Sequence, residues 1–206
     1  MSRSRLAALV VLAAVAGTLP AYAAPKAKPK PKPVCFLIKD PANDASLGGA
    51  GATTYDPSLD IITADVNASA TTLSAVIRVK DLTEDSTIGK SGRTWTFSMS
   101  NGANNIALAA YLSDRGGKAF GKGTGTFDFT KNEIRMHVPI KDLGGTKVVK
   151  GTILRGVYLT SNVVVGLPPE LGRGPAFQPL SGAVDTTTPT NATFKVGTPS
   201  CVVVGK

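Results

Sequence analysis

The stretch LDIITADVNASATTLSAVIRVKDL, residues 59–82, decides the fold. In its second half Leu73, Ala75, Ile77 and Val79 fall on one face, and Ser74, Arg78 and Lys80 on the other. In its first half Ile62, Ala64, Val66 and Ala68 alternate with Thr63, Asp65 and Asn67. A period of two sets one side of a strand against a core and the other in water. β-Branched residues are dense in both halves, which suits a pleated surface. Neither half sustains the i, i+3, i+4, i+7 spacing of a helix. Residues 67–72 are small and polar, as a tight connection requires. The stretch therefore reads as a hairpin.

The same alternation recurs downstream. Trp95, Phe97 and Met99 oppose Thr94, Thr96 and Ser98, and the Asn101-Gly102 turn signal follows. Residues 105–113 align Ile106, Leu108, Ala110 and Leu112. Residues 124–130 and 133–140 form a second hairpin across Lys131-Asn132, with Ile134, Met136, Val138 and Ile140 inward. Further strands are expected at 34–39, 152–165, 192–196 and 201–204, with loops at 40–58, 83–92 and 166–182. No fixed repeat period is present. The expectation is an all-β chain forming a single antiparallel β-sandwich, jelly-roll or immunoglobulin-like, with little or no helix after residue 23.

The amino-terminal region predicts export. Arg3 and Arg5 precede an apolar run over residues 6–19, then Pro20 and Ala21-Tyr22-Ala23. A basic start, a short apolar centre and an A-x-A site make a signal peptide over residues 1–23. The run is shorter than the ~20 residues of a membrane span. No transmembrane segment is expected in the mature chain, which is read as secreted and extracellular. Residues 24–33, APKAKPKPKP, alternate Lys and Pro and are expected to be a disordered, extended linker. The β-sandwich domain is placed at 34–206. Removing Arg3 and Arg5 lowers the formal charge from +9 to +7, and the four linker lysines leave only +3 for the domain. The basic balance thus belongs partly to the linker, and no nucleic-acid partner is inferred.

Cys35 and Cys201 are the two cysteines, one at each end of the domain. In an oxidising compartment such a pair bridges. Closing so long a loop stabilises by about 5 kcal/mol on the chain-entropy account.

The order of these features resembles a known group. Cys35-x4-Asp40-x3-Asp44, a Gly-rich loop, Asp56-Pro57-x2-Asp60-Ile61 and LSAVIRVKDL are similar to the opening of DOMON-like and family 9 carbohydrate-binding-module-like sandwiches of exported bacterial proteins. HVPIKDLGG and the closing FKVGTPSC resemble their second half. The resemblance implies a binding domain for sugar or haem, in some members with calcium. The sequence departs from the pattern in having one Trp where sugar binders use exposed aromatics.

Asp40, Asn43, Asp44, Asp56 and Asp60 supply oxygen ligands within one loop and its flanks, a chemistry that suits calcium. The spacing is not an EF-hand, and Asx turns within the loop account for the same residues. Tyr55, Tyr111 and Phe177 are the candidates for stacking on a sugar, since Trp95 shares the core face of its strand. His137 points outward with Arg135 as a solvated residue, and Met99 lies on a core face, so neither marks a haem site. No G-x-S-x-G is present, and in the phosphate-loop-like Ile88-Gly89-Lys90-Ser91 the first Gly is replaced by Glu84. The expected function is a non-catalytic binding module for carbohydrate or a cell-wall polymer. The alternatives are a structural domain of the cell envelope with a protein partner and, last, a haem-type electron carrier.

Overall fold

The computed structural model describes residues 30–45, 56–85, 91–113, 116–143, 147–165, 184–187 and 192–205. The expected signal peptide, residues 24–29 of the expected linker, Tyr55, Phe177 and the expected loop at 166–182 lie outside them. The chain divides into Met1–Lys30 and Pro31–Lys206, and every described strand belongs to the second unit.

The hairpin forms as its alternation dictates. Strands β2 (Ile61–Ala68) and β3 (Thr72–Val79) pair antiparallel, with Val66 opposite Ala75 and Ala64 opposite Ile77. Ser69 closes the turn: its Oγ accepts from the amides of Thr71 and Thr72 at 3.2 and 3.0 Å. The expected inner residues are buried, with one exception. A bulge between Ile61 and Thr63 shifts the alternation by one, so Ile61 is fully buried and Ile62 only half-buried. The displaced amide of Ile61 donates instead to Asp185 Oδ2 at 2.7 Å.

Two antiparallel sheets result. The first runs β1 (Ile38–Lys39), β2, β3, β8 (Glu133–Pro139), β7 (Thr124–Asp128). The second runs β10 (Asp185–Thr186), β9 (Ile153–Val165), β4 (Ser91–Ser100), β5 (Asn105–Ser113), β6 (Lys118–Phe120), with β11 (Phe194–Lys195) also on β9. Their inner faces share one core, in which Leu73, Ile77 and Ile134 of the first sheet meet Trp95, Phe97 and Leu159 of the second. Each such side chain contributes roughly 1.5–3 kcal/mol by leaving water. Trp95 satisfies its indole N–H at Ser58 O, 3.0 Å away. The expected all-β sandwich is therefore present, and among the described residues the only helical element is a 3-10 turn at Ile140–Asp142.

One expected strand is cut short and another is not formed. Residues 34–39 yield only Ile38–Lys39, because Phe36 takes the left-handed backbone region at φ 55° and breaks the extended run. Residues 201–204 form bends rather than a strand. They lie across the outer face of the first sheet, where Asn67 Nδ2 donates to Val202 O at 2.7 Å and Gly205 N to Ser74 Oγ at 3.2 Å. The Cys35–Cys201 disulfide is formed, with Cα atoms 5.2 Å apart across a sequence separation of 166. Beside it, Val34 N donates to Pro199 O at 2.8 Å and Cys201 N to Val34 O at 3.2 Å. Among the described residues no helix is long and apolar enough to cross a membrane.

Candidate metal centre

Three carboxylates meet where the β1 edge of the first sheet faces β10 of the second. Asp40 follows β1 directly, and its amide still donates to Ile62 O at 3.0 Å, which fixes it at the strand end. The chain then turns tightly, with Asn43 at φ 72°, a conformation Asn tolerates better than most residues. That turn returns Asp44 to the side of Asp40. Asp185 arrives from β10. Oxygens of Asp40, Asp44 and Asp185 all lie within 4.8 Å of one another.

The cluster is electrostatically costly as it stands. Burial, reinforced by the charges of Asp44 and Asp60, pushes Asp40 up to about 6, although contact with the Asp185 carboxyl works the other way. Burial pushes Asp185 up to about 7, against the Ile61 hydrogen bond and together with the charges of Asp40, Asp44 and Asp60. Like charges gathered in a poorly hydrated place favour protonation. Asp40 Oδ2 is buried, and no backbone N–H or hydroxyl reaches it. The donors are all oxygen, and a spread of 4.8 Å is what an ion with bonds of about 2.4 Å spans. The residues present therefore fit a hard divalent cation such as calcium.

The structure redraws the set expected from the sequence. Asp40 and Asp44 are in it. Asp60 is fully buried nearby and acts through its charge, while its Oδ2 accepts the Asn43 amide at 2.8 Å. Asn43 is a brace rather than a ligand, since its side-chain Oδ1 is engaged by Lys80 Nζ. Asp56 belongs elsewhere: Oδ1 accepts from Ser58 N at 2.8 Å, and Oδ2 lies 4.0 Å from Arg93 Nη1 in a fully buried pair. Arg93 Nη2 in turn donates to Thr83 O and Glu84 O, each at 2.8 Å. The carboxylate that the expected set lacked is Asp185. It lies far along the chain in a two-residue strand with no pattern of its own, so no local signal marked it.

The aromatic candidates fare differently. Tyr111 does sit opposite the apolar set of β5, but it is only 2% exposed and offers no face to a sugar. Its ring lies over Gly92 of the neighbouring strand, where any Cβ would overlap it. Tyr55 and Phe177 fall outside the described residues. Aromatic rings do gather at the opposite edge of the sandwich: Phe127 lies 5.8 Å from Trp95, 5.0 Å from Phe120 and 6.4 Å from Phe129. All three Phe are half-buried and plug the gap between β6 and β7.

His137 faces outward as expected, yet it is half-buried and its Nδ1 lies 2.9 Å from Ser74 Oγ. Burial, then Arg135, lowers its pKa. Ser74 is fully buried under the carboxy-terminal segment and already accepts from Gly205 N, so the pair is a cross-strand hydrogen bond in the first sheet. Met99 is buried on the inner face of the second sheet, remote in topology from His137 on the outer face of the first.

No protein-family model matches this chain, and no curated protein matches it.

Proposed function

We propose that this chain is a secreted, non-catalytic β-sandwich module, of the DOMON-like or family 9 carbohydrate-binding-module-like kind, that holds calcium as a structural cofactor and presents its surface to a carbohydrate or another cell-surface ligand. The meeting of Asp40, Asp44 and Asp185 from both sheets carries the reading. When bound, the cation supplies positive charge that offsets the mutual repulsion of these carboxylates and ties β1 to β10. Asp185 positions the bulged amide of Ile61 at the same time, so the site and the packing of the sheets share one residue. An oxidising compartment, where calcium is abundant and disulfides persist, agrees with the Cys35–Cys201 bridge.

A second reading, an envelope protein that docks another protein, draws on the exposed Val34, Phe36 and Val203 beside the disulfide. Thermal melts of the purified chain with calcium and with chelator test the metal. A midpoint that chelator leaves unmoved overturns it, because a ligand bound only by the native state raises stability. A glycan array and cell-wall polysaccharide pull-down test the ligand class. Silence in both, with a protein retained from culture supernatant, favours the second reading.

A further inference from the structure

The outer face of the second sheet carries a hollow of about 450 Å³ lined by Ser98, Ser100, Asn105, Ala107, Arg155 and Tyr158, among others. Its origin is local. Outward positions on β4 and β5 are small here, Ser98, Ser100 and Ala107, so the floor is low. On β9 the pairing with β4 slips: Ser98 faces Tyr158 but Ser100 faces Arg155, which leaves an extra residue on β9. Gly156 takes φ 57° inside that bulge. A bulge twists a strand and re-aims its side chains. Here it leaves Arg155 and Tyr158 standing as walls, with Tyr158 38% exposed although it is a mid-strand aromatic.

The chemistry of the walls is specific. An exposed aromatic ring offers a flat apolar face, and hydroxyl and amide groups of Ser98 and Asn105 lie beside it. Arg155 adds a positive fork whose planar geometry suits a carboxylate or sulfate. Lys195 on β11 faces out opposite Ile153 and extends the positive charge along this edge. Among the described residues of the six strands of this sheet, Asp185 is the sole acid, and it is buried. The face is thus concave, hydrogen-bonding and free of exposed carboxylates on its strands.

We infer that this hollow is a subsite for an acidic saccharide, with Tyr158 stacking on a sugar ring and Arg155 pairing with its carboxylate or sulfate. The inference rests on the binding-module reading and gives it a location and a ligand charge. Unlike the buried Tyr111, Tyr158 offers an exposed ring at the β9 bulge.

The test is calorimetric titration of the full-length mature chain, in calcium, with a hyaluronan oligosaccharide and with a neutral cello-oligosaccharide of equal length. The expected result is binding of the acidic ligand that weakens at least about tenfold in Tyr158→Ala and in Arg155→Gln. Arg155→Gln is also expected to erase the preference for the acidic ligand and to flatten its salt dependence. Both residues are exposed, so their melting midpoints should stay with the wild type. Glycan binding that neither variant alters overturns this site while leaving the module reading in place. Binding of neither oligosaccharide, with a silent glycan array, overturns both.

Discussion

Asp185 Oδ2 accepts the backbone amide of Ile61 at 2.7 Å, across 124 residues of sequence. One carboxylate therefore stabilises a bulge in the first sheet while belonging to an edge strand of the second. The same carboxylate lies within 4.8 Å of Asp40 and Asp44. Substitutions at Asp185 separate the two roles. Asp185→Asn keeps an acceptor for Ile61 but removes the charge, so the metal-free protein should be no less stable than wild type. Saturating calcium, at about 100 times its dissociation constant, should raise the wild-type midpoint by roughly 5–10 °C and the Asn variant by much less. Asp185→Ala should lose the calcium response and a further ~1–3 kcal/mol, because the buried amide loses its partner. Calorimetric melts with and without calcium distinguish the three proteins.

The pH dependence of the metal-free protein should run opposite to ordinary acid denaturation. Asp40 and Asp185 titrate near 6 and 7 in the folded chain, above the 3.8 of an unperturbed Asp. The folded state then holds more protons than the unfolded state between about pH 4 and 7, so stability falls as pH rises through that window. In chelator the unfolding free energy should drop steadily from pH 4.5 to 7.5, by an amount on the order of 1–2 kcal/mol after allowance for solvent screening, and the midpoint should fall with it. Calcium should remove most of that slope. A midpoint that climbs with pH in chelator would contradict the electrostatic account of the cluster.

Arg93 and Asp56 form a pair from which water is excluded, 4.0 Å apart and both fully buried. Removing one partner strands the other charge. Arg93→Ala should cost about 3–5 kcal/mol by urea titration and also release the carbonyls of Thr83 and Glu84. The calcium response of any folded Arg93 variant should be unchanged, since Asp56 is not part of the Asp40, Asp44 and Asp185 cluster. A lost response would return Asp56 to that cluster.

The Cys35–Cys201 bridge holds two segments that also exchange backbone hydrogen bonds at Val34. A paired Cys35→Ser, Cys201→Ser variant should lose about 2–5 kcal/mol. Hydrogen exchange should rise first at residues 34–37 and 199–205, and at Ser74 and Asn67, which the carboxy-terminal segment covers. Uniform loss of protection across both sheets at low denaturant would instead assign the bridge a global role.

By itself the sequence determined what depends on near neighbours. Alternation of period two set the hairpin at 59–82, placed Trp95, Phe97 and Met99 inside, and turned His137 outward. Those outcomes follow from each strand's need to hide one face. The tertiary structure decided what depends on which strands become neighbours. Asp185 joined Asp40 and Asp44 because β10 docks on β9 and faces the β1 edge. Asp56, close to Asp60 in sequence, turned away to Arg93. The Ile61 bulge exchanged Ile61 for Ile62 in the core, and the β9 bulge brought Tyr158 out while Gly92 let Tyr111 sink in. A residue's face along its own strand is a local property. The company its carboxylate or ring keeps is set by sheet order and register, which come from burying two faces against each other.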